Sequence, residues 1–188
     1  KESVLRQDNR IIYTWEYTNP KPQKEKREDF SVWNTETYPG FIYSTFTSYK
    51  EIVQAYADRA LPKATVTPQI RALAKEIIGK ETDSREKARL LYEWVAQNIT
   101  YAGNCIGVGA VVPHDTDFIL DNRMGDCKDQ ATILQALLTS EGINSTQALI
   151  NSGSIYSLPA TPTVTAVNHV INYLPDFDIF VDATSQSV

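Results

Sequence analysis

Cys127 directly follows Asp126, a good helix N-cap, so its sulfur is expected in the first turn of a helix running from Cys127 to Glu141. Backbone N–H groups without partners and the positive end of the helix dipole favour a thiolate at such a place. The same N–H groups could form an oxyanion hole for an acyl carbon under attack. Most lone cysteines are small buried hydrophobes. The flanking Asp126, Lys128 and Asp129 fit the mouth of a polar site better than an apolar pocket.

A thiol nucleophile needs a base, and the chain has two histidines, His114 and His169. His169 falls in an alternating segment, Val167 to Tyr173, that reads as a strand, and Ile179 to Ala183 reads as the next. An even loop between them would put His169 and Asp182 on one sheet face, directly opposite or a diagonal step apart. A carboxylate so placed holds the imidazole tautomer and stabilises its charged form. His114 is the competing base, in a loop after Pro113 with only its neighbour Asp115 as a local carboxylate. Cys105 reads as a loop or pocket-wall thiol, and a disulfide from it to Cys127 would silence the nucleophile. A metal site on Cys127, His169 and Asp182 would ordinarily bring a second soft ligand, so no metal or other cofactor is expected.

The elements that must position these residues carry their own start and stop signals. Ser48 and Glu51 have capping-box spacing and open a helix. Thr67-Pro68 starts the next, with a stripe of Ile70, Leu73, Ala74 and Ile77 that Gly79 closes. Asp83 and Glu86 open another, whose stripe is Ala88, Leu91, Tyr92, Val95 and Ile99. A Gly-bearing loop leads to a short helix over Phe118 to Arg123, and the Cys127 helix is apolar on most sides until Gly142. Thr146 to Ile150 is a further strand. Helices followed by an antiparallel sheet suggest an α+β fold. Upstream, Ile11, Tyr13, Trp15 and Tyr17 alternate as a strand that Asn19-Pro20-Lys21-Pro22 ends, and Phe41 to Thr47 is a second extended segment. So few strands could not bury a face alone, so residues 1–47 read as the trailing strands of an N-terminal β-rich domain and 48–188 as the thiol domain.

At 188 residues the chain allows one sizeable core plus an extension. A net charge of −5 without a basic block argues against a nucleic-acid partner. No apolar run nears the roughly 18 residues that span a bilayer. The chain starts at Lys1 and reads as excised from something longer.

The run Arg123-Met124-Gly125-Asp126-Cys127-Lys128-Asp129-Gln130-Ala131-Thr132, followed by Leu137-Leu138 and Gly142-Ile143, resembles the cysteine motif of bacterial transglutaminase-like proteins. Asn168-His169-Val170 and Val181-Asp182-Ala183-Thr184 are similar to that superfamily's histidine and aspartate motifs, in the same order. The resemblance implies a papain-like core, with the cysteine on a central helix and the other two residues on adjacent strands. It further implies an N-terminal remnant of a β-rich domain and a periplasmic, extracellular or envelope-associated location. Members often complete the oxyanion hole with an upstream aromatic or amide side chain, which makes Tyr101 and Asn104 candidates here, alongside Asp126 and His114 at the substrate side. The expected activity is acyl transfer on a peptide or protein substrate by Cys127, His169 and Asp182. Hydrolysis is favoured because crosslinking needs a protected site for a second amine. A protein-crosslinking transglutaminase and a non-catalytic peptide-binding scaffold on the same fold remain the alternatives.

Overall fold

The computed structural model describes residues 2–18, 42–103, 106–153 and 157–184, and the chain divides into two units, Lys1–Ser31 and Val32–Val188. In the first, β1 (Glu2–Gln7) and β2 (Arg10–Trp15) form an antiparallel hairpin. Asp8 and Asn9 take positive φ, 50° and 59°, as a two-residue primed turn requires. Tyr13 and Trp15 share a face, as their spacing predicts, and stack with centroids 5.8 Å apart. Every residue of both strands is exposed. The expected strand end at Asn19 to Pro22 lies outside the described residues.

In the second unit, α1 (Tyr49–Ala60) starts where Ser48 Oγ accepts the Glu51 N–H at 3.3 Å. Only that half of the expected capping box forms. The Glu51 carboxylate reaches one residue further back, accepting the Thr47 N–H at 2.7 Å and the Thr47 hydroxyl at 2.6 Å. The same local bonding corrects the expected extended segment at Phe41 to Thr47. Phe41 lies outside the described residues, and residues 42–47 join no strand. Phe46 N–H is taken by Ser44 Oγ and Thr47 N–H by Glu51, so donors a ladder would need are already committed.

Helices α2 (Pro68–Ile78) and α3 (Ser84–Asn98) begin as their caps predict, with Thr67 Oγ1 accepting from Ile70 N at 3.2 Å and Asp83 Oδ1 from Glu86 N at 2.9 Å. Gly79 closes α2 at a positive φ of 57°. The two-residue strand β3 (Thr100–Tyr101) follows α3. Helix α4 (Thr116–Asn122) starts two residues earlier than expected, because Thr116 is buried with its hydroxyl donating to Thr65 O at 3.0 Å. Arg123 ends it in the left-handed region, φ 52°, its guanidinium 4.8 Å above the Trp94 ring. From there β4 (Met124–Gly125) pairs in parallel with β3.

The core surrounds α5 (Cys127–Ser140), which packs against α2, α3, α4 and a three-stranded sheet. Leu134, Leu137 and Leu138 are wholly buried, each contributing about 2 kcal/mol of apolar burial. The antiparallel sheet has the order β5 (Thr146–Ile150), β6 (His169–Leu174), β7 (Ile179–Val181). Buried Asn172 ties β6 to α5 by donating to Ala131 O at 3.0 Å. β6 begins at His169 and not Val167, since a 3-10 turn, Val164–Ala166, occupies the approach. β7 stops at Val181, short of the expected Ala183. The expected α+β architecture is present, with the cysteine-bearing helix central and buried against the antiparallel sheet.

Candidate active site

Cys127 is the first residue of α5 and is a half-buried free thiol. Asp126 caps the helix, its Oδ1 accepting from Lys128 N at 3.2 Å and Asp129 N at 3.4 Å. Asp129 Oδ2 accepts in return from Asp126 N at 3.3 Å, closing a reciprocal capping box. The second Asp126 oxygen pairs with the ammonium of Lys128, and both side chains are buried. Burial pushes the Cys127 thiol above its ordinary 9.0, and the Asp126 charge adds to the rise. The N–H groups of Val170 and Lys128 and the Lys128 charge oppose it without prevailing. Desolvation outweighs what the helix terminus offers. The shift favours the thiol form, whose proton a base would have to take.

The β6–β7 loop is Pro175 to Asp178, an even four residues, with Leu174 opposite Ile179 and Asn172 opposite Val181. Continuing that register sets Asp182 opposite Ile171, one diagonal step from His169 on the same face. His169 Nε2 lies 2.8 Å from Asp182 Oδ2. The other carboxylate oxygen accepts from Thr184 N at 3.0 Å and Thr184 Oγ1 at 2.7 Å, and Tyr92 Oη on α3 donates to Asp182 O at 3.3 Å. Burial alone would raise the Asp182 carboxyl, but the bonds from Thr184 and His169 together outweigh it and hold it below its usual range. With Nε2 committed to the carboxylate, Nδ1 is the ring nitrogen left to face a thiol. Among the described residues no hydrogen bond joins the sulfur to the ring. The Val170 N–H acting on the sulfur sets the thiol against the residue that follows His169.

Tyr101 stands in register with Gly125 in the β3–β4 ladder, exposed and two positions before the thiol's turn is reached through that partner strand. Asn104 and Cys105 lie outside the described residues. His114 departs from expectation. Its partner is not Asp115, which pairs with Lys63 at 3.0 Å, but Asp129, which is 1% exposed. Asp129 accepts the His114 N–H at 2.8 Å, and His114 Nδ1 lies 3.1 Å from Oδ2. The sequence puts Asp129 with Asp126 and Lys128 at the mouth of a polar site, whereas all three are buried. Tyr56 on α1 is a residue the sequence did not mark. Burial raises its hydroxyl's pKa, followed by the charges of Cys127, Asp126 and Asp129, and it donates to Gln147 Oε1 on β5. Ninety-one positions separate those two, and no local pattern joins them. Among the described residues no group of three or more His, Cys, Asp or Glu is placed to hold a metal ion, and no helix is long and apolar enough to cross a membrane.

Residues 71–150 match the transglutaminase-like superfamily, a span that holds Cys127 and stops before His169 and Asp182. A crystal structure from Parabacteroides distasonis ATCC 8503, of a protein described provisionally as a protease, superposes with a TM-score of 0.69 at 16% identity. The match covers 98% of this chain and 36% of that one. Another, from Cytophaga hutchinsonii and described provisionally as a cysteine protease, is 17% identical over 68% of this chain and 42% of its own, with a TM-score of 0.49. The chain thus spans less than half the length of either. Among curated proteins none matches it.

Proposed function

From a chain that carries a transglutaminase-like domain, we propose a thiol-dependent acyl-transfer enzyme that hydrolyses peptide or amide bonds, with Cys127 as nucleophile, His169 as base and Asp182 as the carboxylate orienting it. The observation that carries the reading is the His169–Asp182 bond of 2.8 Å, formed across a hairpin whose first strand meets the thiol. Nδ1 takes the thiol proton as sulfur attacks the carbonyl carbon, and the same nitrogen gives it to the departing amine. Water then releases the acyl group. N–H groups at the start of α5 are the candidate oxyanion donors, with Tyr101 beside them on β3. The partner is a peptide or protein met outside the cytoplasm, as the resemblance implies.

The shift toward the thiol form and the absence of a thiol–imidazole bond among the described residues favour one second reading, a peptide-binding module that keeps the three residues without turnover. One experiment separates the two. p-Nitrophenyl acetate and a peptide library are presented to the wild type, Cys127→Ala and His169→Ala, and acylation is mapped by mass spectrometry. The enzyme reading expects acylation at Cys127 that falls about 10²- to 10⁴-fold without His169. Acylation indifferent to His169, with no peptide cleaved, would leave only the binding module.

A further inference from the structure

One buried carboxylate, Asp129, carries three donors from two segments outside its own helix: the N–H of Asp126, and the N–H and Nδ1 of His114. It is 1% exposed, so water cannot replace a lost donor, and an ionised group in that position is held by its hydrogen bonds or not at all. The bonds differ in quality. Those from His114 measure 2.8 Å and 3.1 Å, while the one that closes the helix cap measures 3.3 Å. The stronger anchor therefore lies on the His114 loop.

The cap strand has no slack of its own. A Cβ on Gly125 would come within 2.5 Å of Asp129 Cβ, so the backbone just before Cys127 lies directly on the Asp129 side chain. Any shift of Asp129 is thus transmitted to Gly125 and Asp126, and from them to the N–H groups beside Cys127. The His114 ring is fixed in turn by stacking on Phe118, centroids 4.4 Å apart, and His114 lines an open cavity of about 290 Å³ with Val108, Val112 and Phe118. With Nδ1 turned to a buried carboxylate and its face on Phe118, the ring is braced.

We propose that His114 is a positioning residue for acyl transfer: by fixing Asp129 it sets the backbone turn that presents the oxyanion-binding N–H groups beside Cys127. The inference rests on Cys127 being the nucleophile. It distinguishes two kinds of thiol chemistry. In the reaction with p-nitrophenyl acetate the S–C bond forms through a tetrahedral oxyanion, the acyl C–O bond to the phenolic oxygen breaks, p-nitrophenolate leaves, and the thiol proton passes to His169 and then to buffer. Displacement of iodide from iodoacetamide forms an S–C bond with no oxyanion. A misplaced turn slows the first and spares the second.

The test compares wild type, His114→Leu and His114→Asn in both reactions, with adduct formation at Cys127 read by mass spectrometry. Asparagine places an amide N–H near the position of Nδ1, whereas leucine has no donor. The leucine variant is expected to lose about tenfold or more in acetylation with alkylation within about twofold of wild type, and asparagine to restore most of the loss. Equal losses in both reactions, no loss in either, or an asparagine variant that folds but acetylates as poorly as leucine would overturn it. Should the leucine variant not fold, the asparagine variant decides alone, since retained acetylation supports the role and its selective loss removes it. Failure of the underlying reading looks different, because wild-type Cys127 would then not be acetylated in a His169-dependent way.

Discussion

The second unit holds two imidazole–carboxylate pairs, and they are built the opposite way round. In His169–Asp182 the ring side chain is 11% exposed and the carboxylate 39%. In His114–Asp129 the ring is 35% exposed and the carboxylate 1%. A buried carboxylate held by three donors is a fixture, because moving it strands a charge. A half-exposed carboxylate with one oxygen held by Thr184 and the other turned to a ring is an adjunct, and the enclosed ring is what it serves. The exposure of each partner, more than the short distance that both pairs share, separates a group placed to act from one placed to hold.

The sharpest way to break this contrast is Asp182→Asn. The amide keeps the volume and the Thr184 contact but favours the wrong imidazole tautomer, so acetylation of Cys127 is expected to fall about 10³-fold with the melting temperature almost unchanged. Unaltered acetylation would strip Asp182 of its role. Stability should show the reverse order. Asp129→Ala leaves three donors without an acceptor and is expected to cost about 3 kcal/mol in urea unfolding. Asp182→Ala, at a half-exposed site screened by solvent, is expected to cost under about 1 kcal/mol. Similar losses for the two alanine variants would erase the distinction between fixture and adjunct.

A finer measurement concerns the thiol. Because burial favours the thiol form of Cys127, its alkylation by iodoacetamide should climb about tenfold per pH unit from about pH 6 to about pH 9, as the thiolate fraction grows. A plateau beginning near neutrality would mean that a thiolate–imidazolium pair already exists at rest. The smallest effect lies in acid. The folded-state pKa of Asp182 is lowered from 3.8, so its contribution is present above that value and disappears as pH falls through the folded one. Melting temperatures of wild type and Asp182→Asn should therefore converge below about pH 3.8, by a degree or so at this half-exposed site. A gap that widens in acid would contradict the sign of the shift.

The helix at Cys127 and the facing of His169 and Asp182 were legible because both depend on short-range rules. Asp126 announces a cap, and an even loop fixes which side of a hairpin each residue takes. The state of the thiol was not legible. The helix terminus is written locally, whereas the burial that overrides it depends on how the whole fold encloses the sulfur. His114 and Asp129 escaped for the same reason. Fifteen positions separate them, with α4 and β4 in between, and no periodicity relates a loop residue to the third position of a helix. The segment ending at Thr47 failed through competition, its donors being taken by Ser44 and Glu51 side chains before any strand could use them.

The four-residue loop from Pro175 to Asp178 has a bearing on how this chain can change length. Surface loops ordinarily tolerate small insertions and deletions. Here a single added or deleted residue, absorbed by shifting β7 one place along β6, would turn Asp182 to the reverse face and bring Val181 or Ala183 to His169 instead. Two residues would keep the carboxylate on its side. Length variation at this hairpin is therefore quantised: descendants that keep the pair should differ from this chain by even steps, and odd steps should be found only where a bulge restores the count or where the pair has been given up.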